Sequence, residues 1–459
     1  MARHPAGSDR RGCDRRGAGS FRSAPLGHRL SGARWHARPL RAAVAITEVT
    51  SPGGLKAWLV EDHSLPFAAL ELRFRGGAAL DPPGKAGAAS LMAALLEEGA
   101  GEMDSTAFLA ARQALAAEFS FAAQNDSLSV SARFLTENRD AAIELLRLAL
   151  VEPRFDTAAI ERVRSQSLAG LARDALDPRS IAGRVFDRLA FEDHPYAQPS
   201  DGTEETVRAL TREDLLAAHR AALARDRVYI GVVGDITAAE LGPLLDRLLG
   251  GLPETGAPLP QHAEIAAPGG VLVEPFAGPQ SVALFGHEGI SDNDPDFFAA
   301  YLLNRILGGG GFSSRLMEEI REKRGLTYGV YSYLAPMDNA ALVKGQLSSS
   351  NDTIAEAVEL VRAEWARIAR DGVTEKELDA AKRFVTGSFA LRFSGNGQTA
   401  RILAGLQISG RPIDYVNTRN DLMNAVTLEE ANRVAKRLFR PEKLQVVVVG
   451  NPVGMAPAN

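Results

Sequence analysis

Polar and apolar residues alternate from Ser127 to Phe134, the pattern of a strand with one buried face. Similar short runs predict strands at 55–60, 68–75 and 118–123, with a last one at 227–233. Helical spacing predicts helices at about 84–98, 105–116, 139–151, 157–176, 179–191 and 212–224, with Asp104 and Thr157 as N-caps. Past residue 269 the order begins again, with strands near 271–275, 281–287, 328–336, 341–348 and 444–449. Hairpin-joined strands followed by runs of helices define an α+β fold, each sheet mostly antiparallel and packed against helices.

The order recurs because the chain repeats. Thr211 begins a helix with an acidic first turn, and an apolar strand ending at Gly234 follows. Thr427 and Gly450 repeat this 216 residues later. A period this long predicts two homologous domains, since solenoid repeats are shorter. The stretch 252–269 holds Pro253, Pro258, Pro260 and Pro268 with no amphipathic pattern, and reads as an extended linker. The predicted organisation is a leader at 1–45, an N-terminal domain at 46–251, the linker at 252–269 and a C-terminal domain at 270–453.

Charge separates the leader from the body. Residues 1–41 carry ten Arg and two Asp, while the remainder has 42 basic and 55 acidic residues, a net of −13. An acidic body argues against nucleic acid as a partner. The Arg-rich leader reads as disordered or processed, either a transit peptide or sequence upstream of the true start. No apolar run reaches the roughly 18 residues needed to span a bilayer. The only Cys is Cys13, so the body has neither a disulfide nor thiol chemistry.

Several motifs together resemble the insulinase/pitrilysin family of zinc metallopeptidases, in its short two-domain form. They include the stretches Leu59 to Pro66, Asp81 to Gly87, His194-Pro195-Tyr196 and Asn304 to Gly310. The most specific runs from Phe312 to Tyr328, through Arg315-Leu316-Met317-Glu318-Glu319 and Lys323-Arg324-Gly325-Leu326-Thr327. The resemblance covers about 46–453.

The family's metal motif is H-x-x-E-H on a helix, with a further Glu on a later helix. The matching positions here are Ser90, Ala93, Ala94 and, seven past Glu161, Leu168. None supplies an imidazole or a carboxylate, so the chain is expected to bind no metal there. No two of the five body histidines lie within five residues of each other.

What the resemblance leaves is in the second half. It assigns Arg321 and Tyr328 to hold substrate backbone and stabilise an oxyanion at a partner's metal site. A fixed guanidinium and a phenol are suitable donors for developing negative charge. Read without the resemblance, Arg321 is one charge on a solvated helix and Tyr328 begins a strand. Gly308, Gly309, Gly310 and Gly311 read either as a helix end and turn or as a loop touching substrate. Tyr331 and Tyr333 read as sheet packing or as the edge of a peptide-binding strand.

The resemblance implies a non-catalytic subunit of a heterodimeric zinc metalloendopeptidase. A homologous partner would carry zinc, and this chain would form half of a peptide chamber. A structural or assembly protein, like the core subunits of respiratory complexes, is the alternative from another class. A stand-alone peptide-binding homodimer is a third. The compartment stays open among periplasm, which the resemblance favours, cytoplasm and an organelle.

Overall fold

The computed structural model describes residues 45–455, so residues 1–44 of the leader, Cys13 among them, lie outside the described residues. In chain order the first strands are β1 (Thr47–Thr50), β2 (Lys56–Glu61) and β3 (Phe67–Arg75), followed by helix α1 (Ala88–Leu95). A two-residue ladder, β4 (Gly99–Ala100) with β5 (Met103–Asp104), leads into α2 (Ser105–Ala114). Then come β6 (Glu118–Ala123), β7 (Ser127–Leu135), α3 (Arg139–Val151), α4 (Thr157–Asp174) and α5 (Pro178–Phe191). Helices α6 (Glu204–Ala209) and α7 (Arg212–Ala222), strand β8 (Val228–Gly234) and α8 (Ala238–Leu249) complete this half.

Residues 251–269 hold no helix or strand. Beyond them lie β9 (Gly270–Pro275), β10 (Gln280–Glu288), α9 (Phe297–Leu307), β11 (Val330–Pro336) and β12 (Ala341–Ser350). Helices α10 (Ile354–Asp371), α11 (Glu375–Phe389), α12 (Asn396–Ile408), α13 (Tyr415–Ala425) and α14 (Leu428–Leu438) precede β13 (Gln445–Gly450).

The two sheets share one plan. The first runs β1-β2-β8-β3-β7-β6 and the second β11-β12-β10-β13-β9. Without β1, each has a single parallel pair, β2 with β8 and β9 with β13, and every other pairing is antiparallel. The expected α+β layers are present, with the alternation of β7 burying Leu128, Val130, Ala132 and Phe134. β13 is buried at every residue because its two faces belong to different layers. Val446 and Val448 pack with Trp365 and Phe439, whereas Val447 and Val449 pack with Phe186 and Phe191 of α5.

That second layer shows an exchange of helices. α5, from the first half, lies on β10 and β13 of the second sheet. α12, from the second half, lies on β8 and β3 of the first. Close approach depends on glycine: a Cβ on Gly231 would stand 2.2 Å from the Ala400 carbonyl oxygen of α12. Gln407 Nε2 donates to the Ile230 carbonyl at 2.7 Å, a bond from α12 to β8. Lys344 Nζ reaches Asp187 of α5 at 2.9 Å, so charge pins the other helix to β12.

Two expectations need correction. α1 begins at Ala88 rather than near 84, because Gly87 has φ +91° and is left-handed. Its Cβ would also meet the Asp201 carbonyl at 2.8 Å. Asp81 closes the turn, accepting the Gly87 and Ala89 amide protons at 2.9 and 3.0 Å. Thr157 is the first helical residue of α4, not its cap, which is Asp156. Asp104 does cap α2, accepting from the Ala107 N–H at 2.9 Å.

Candidate functional site

The positions matching the lost motif lie where α1 faces α4. Between the two helices is a cavity of about 250 Å³, open to one side. Ser90, Leu91 and Ala94 line it from α1, and Ser167, Gly170, Leu171 and Asp174 from α4. Spacing of three and four residues puts each set on one helical face. Ala93 instead lies in the core, 1% exposed. Leu168 is not among the lining residues; the face opposite α1 is that of Ser167 and Leu171.

Neither the side chains present nor their surroundings suit zinc. Ser90 Oγ is engaged with the Ser200 carbonyl at 2.8 Å. The carboxylates lining the cavity are Asp174 and Asp201, with no imidazole or thiol beside them. Among the described residues no group of three or more His, Cys, Asp or Glu could hold a metal ion. Four of the five body histidines, His63, His194, His219 and His287, are engaged elsewhere. His287 is buried, its Nδ1–H donating to the Glu288 carbonyl at 2.6 Å and its Nε2 accepting the Trp365 indole N–H at 2.8 Å. Burial pushes its pKa down to about 4. His219 bonds the Leu150 carbonyl at 2.7 Å, and burial lowers it too. His63 pairs with Asp235 at 2.7 Å, and that carboxylate raises its pKa.

The second place is the segment 308–333. Gly308 closes α9, its N–H bonded to the Asn304 carbonyl at 2.9 Å. A Cβ there would stand 2.4 Å from Ser332 Oγ, so β11 passes close to the helix end. Gly309 and Gly310 are crowded by Asn304 and Arg305, while Gly311 has φ +58° and open space. Packing thus accounts for the first three glycines and turn geometry for the fourth.

Arg315 then anchors the chain, its guanidinium reaching Glu377 at 2.7 and 2.8 Å. Those bonds help hold Glu377 at about 2. From Met317 to Glu322 the helix widens into a π turn, in which the Lys323 N–H reaches back five residues to Glu318 at 3.0 Å. Arg321 lies in this turn. It bonds Glu322 at 3.0 Å and covers the Phe312 ring, its Cζ 4.5 Å from the centroid.

Tyr328 precedes the strand rather than beginning it, since β11 starts at Val330. Its side chain is 89% exposed. The backbone beneath it is held: Thr327 Oγ1 donates to the Ser348 carbonyl at 2.6 Å and accepts the Gly329 N–H at 3.1 Å. Tyr331 and Tyr333 follow on the edge strand, partly exposed and stacked at 6.2 Å. Phe312, the π turn and the Thr327 clamp carried no period that would have marked them in the sequence.

Two mixed sheets of one plan, exchanged helices and a vacated motif helix define a metallopeptidase-like protein without the donors of a metallopeptidase. Residues 209–385 match the model of the family domain described as Peptidase M16 inactive domain. The chain is 28% identical to the Non-peptidase homolog YmxG of Helicobacter pylori over 392 residues, 85% of this chain and 90% of that one. The crystal structure of a peptidase M16 inactive domain from Pseudomonas fluorescens matches with a TM-score of 0.83 and 29% identity, over 90% of this chain and all of that one. A chain of Complex III2 from Candida albicans shares the fold, with a TM-score of 0.71 at 15% identity over 89% of this chain and 96% of that one. The chain is similar to proteins of the M16 family, and these likenesses support a non-catalytic member of it. No helix among the described residues is long and apolar enough to cross a membrane.

Proposed function

We propose that this chain is the non-catalytic subunit of a heterodimeric M16-type zinc metalloendopeptidase. A homologous partner supplies the metal, the general base and the attacking water. This chain closes the peptide chamber and presents Arg321 and Tyr328 to the partner's site. The observation that carries the reading is Tyr328: a phenol 89% exposed, on a backbone clamped by Thr327, seven residues from an Arg poised on Phe312. Tyr and Arg are the residue types that most often anchor a binding interface. We read 46–251 and 270–453 as copies of one unit joined by 252–269, consistent with the shared pairing order of the sheets.

The test is turnover of a peptide by the mixed subunits. Losing one oxyanion donor costs about 2.7–4 kcal/mol, or roughly 10² to 10³ in rate. Arg321→Ala or Tyr328→Phe is expected to lower kcat by that order while the heterodimer and its zinc remain intact. Full turnover by either variant counts against the reading.

The likeness to a Complex III2 chain supports a second reading, a structural or assembly subunit. Copurification with a large membrane complex and no zinc-bearing homologue would favour it.

A further inference from the structure

We propose that the α1–α4 cavity is a metal pocket that has lost its donors and kept its walls, and that the place of the missing carboxylate is Leu171, not Leu168. Sequence spacing from Glu161 points to Leu168. The structure places Ser167, Leu171 and Asp174 on the wall instead, opposite Ser90 and Ala94. Leu171 and Gly170 lie midway along that wall, between Ser167 and Asp174, and of the two only Leu171 has a side chain to replace a carboxylate. Ser90 and Ala94 are four apart, so imidazoles at both would point into the same space. The wall on their side is held independently of any metal, because Asp81 fastens the start of α1 through the Gly87 and Ala89 amides.

The oxygen atoms now present do not replace the lost set. Two hydroxyls and two carboxylates without a nitrogen donor are a poor match for zinc. The family's metal and this chain's residues therefore disagree through side chains alone. This inference concerns the lone chain and does not rest on the partner reading, so the two can fail separately.

The experiment measures metal per purified full chain after dialysis, together with cobalt(II) absorption, which reports tetrahedral coordination. Wild type is expected to retain no stoichiometric zinc. Ser90→His with Ala94→His should bind cobalt at least about tenfold more tightly than wild type. Adding Leu171→Glu should bring one tightly held zinc per chain, whereas adding Leu168→Glu should gain nothing over the double variant. The double variant changes only cavity-lining positions, so it tests the walls even if a triple variant fails to fold. One zinc per wild-type chain, no gain in the double variant, or equal binding by the folded Leu168→Glu and Leu171→Glu variants overturns the proposal.

Discussion

The Arg321 guanidinium carbon lies 4.5 Å from the centroid of the Phe312 ring. Phe312 is 71% exposed and contributes little to the core. Its consequence is for aim: the ring face holds a long, flexible cation that otherwise has only its neighbour Glu322.

Phe312→Ala is therefore expected to leave stability within about 0.5 kcal/mol of wild type. An exposed cation–π contact is worth about 0.5–1 kcal/mol, so turnover of the assembled subunits should fall by less than about tenfold. Phe312→Tyr, which keeps a ring, should restore it. Steady-state kinetics beside a thermal melt separate the two effects, and unchanged turnover in the Ala variant refutes the positioning role.

His287 sets one pH dependence. It is 1% exposed, neutral, and bonded on both nitrogens. Its folded pKa of about 4 lies below the ordinary 6.5, so the unfolded chain takes up the proton first. Stability from this group is complete above about 6.5 and is lost as pH falls through 4, by up to about 3 kcal/mol. The difference in unfolding free energy between wild type and His287→Gln should shrink by about that amount from pH 7 to 4, measured by denaturant titration. A constant difference would refute it.

Asp81 has the opposite sign. It is 9% exposed, and burial raises its pKa from 3.8 to about 7 against the pull of the amides it caps. Its contribution is complete below about 3.8 and is lost as pH rises through 7, by up to about 4 kcal/mol. Wild type should therefore lose stability relative to Asp81→Asn between pH 4 and 8. A gap that does not move across that range would show that the carboxyl does not titrate this way.

The exchanged helix makes Gly231 sensitive. A Cβ there stands 2.2 Å from the Ala400 carbonyl oxygen, so Gly231→Ala must push α12 off β8. Overpacking of this kind costs about 1–3 kcal/mol. Gly387, within α11, has nothing within 4 Å of an added Cβ. Gly387→Ala should gain up to about 1 kcal/mol from helix propensity. Equal melting temperatures for the two variants would contradict the close approach of α12.

Most elements were legible where a local pattern decided them. β6 and β7 follow from alternation, and α3, α5 and α7 from apolar spacing with their caps or an N-terminal Pro. β1 escapes because four residues hold too little pattern. α8 was readable at its start, where Thr237 and Glu240 form a capping box, but Pro243 inside it speaks against a helix.

By itself, the sequence determined the α+β class, the recurrence of one plan and the absence of imidazole or carboxylate at Ser90, Ala93 and Ala94, because chemical identity and local periodicity need no folded context. Only the tertiary structure decided that α5 and α12 trade sheets, that Ser167, Gly170, Leu171 and Asp174 of α4 line the cavity against α1, and that Arg321 rests on Phe312. Each of those depends on which helical face meets which neighbour. That is settled by packing between residues far apart in the chain, and it leaves no local trace.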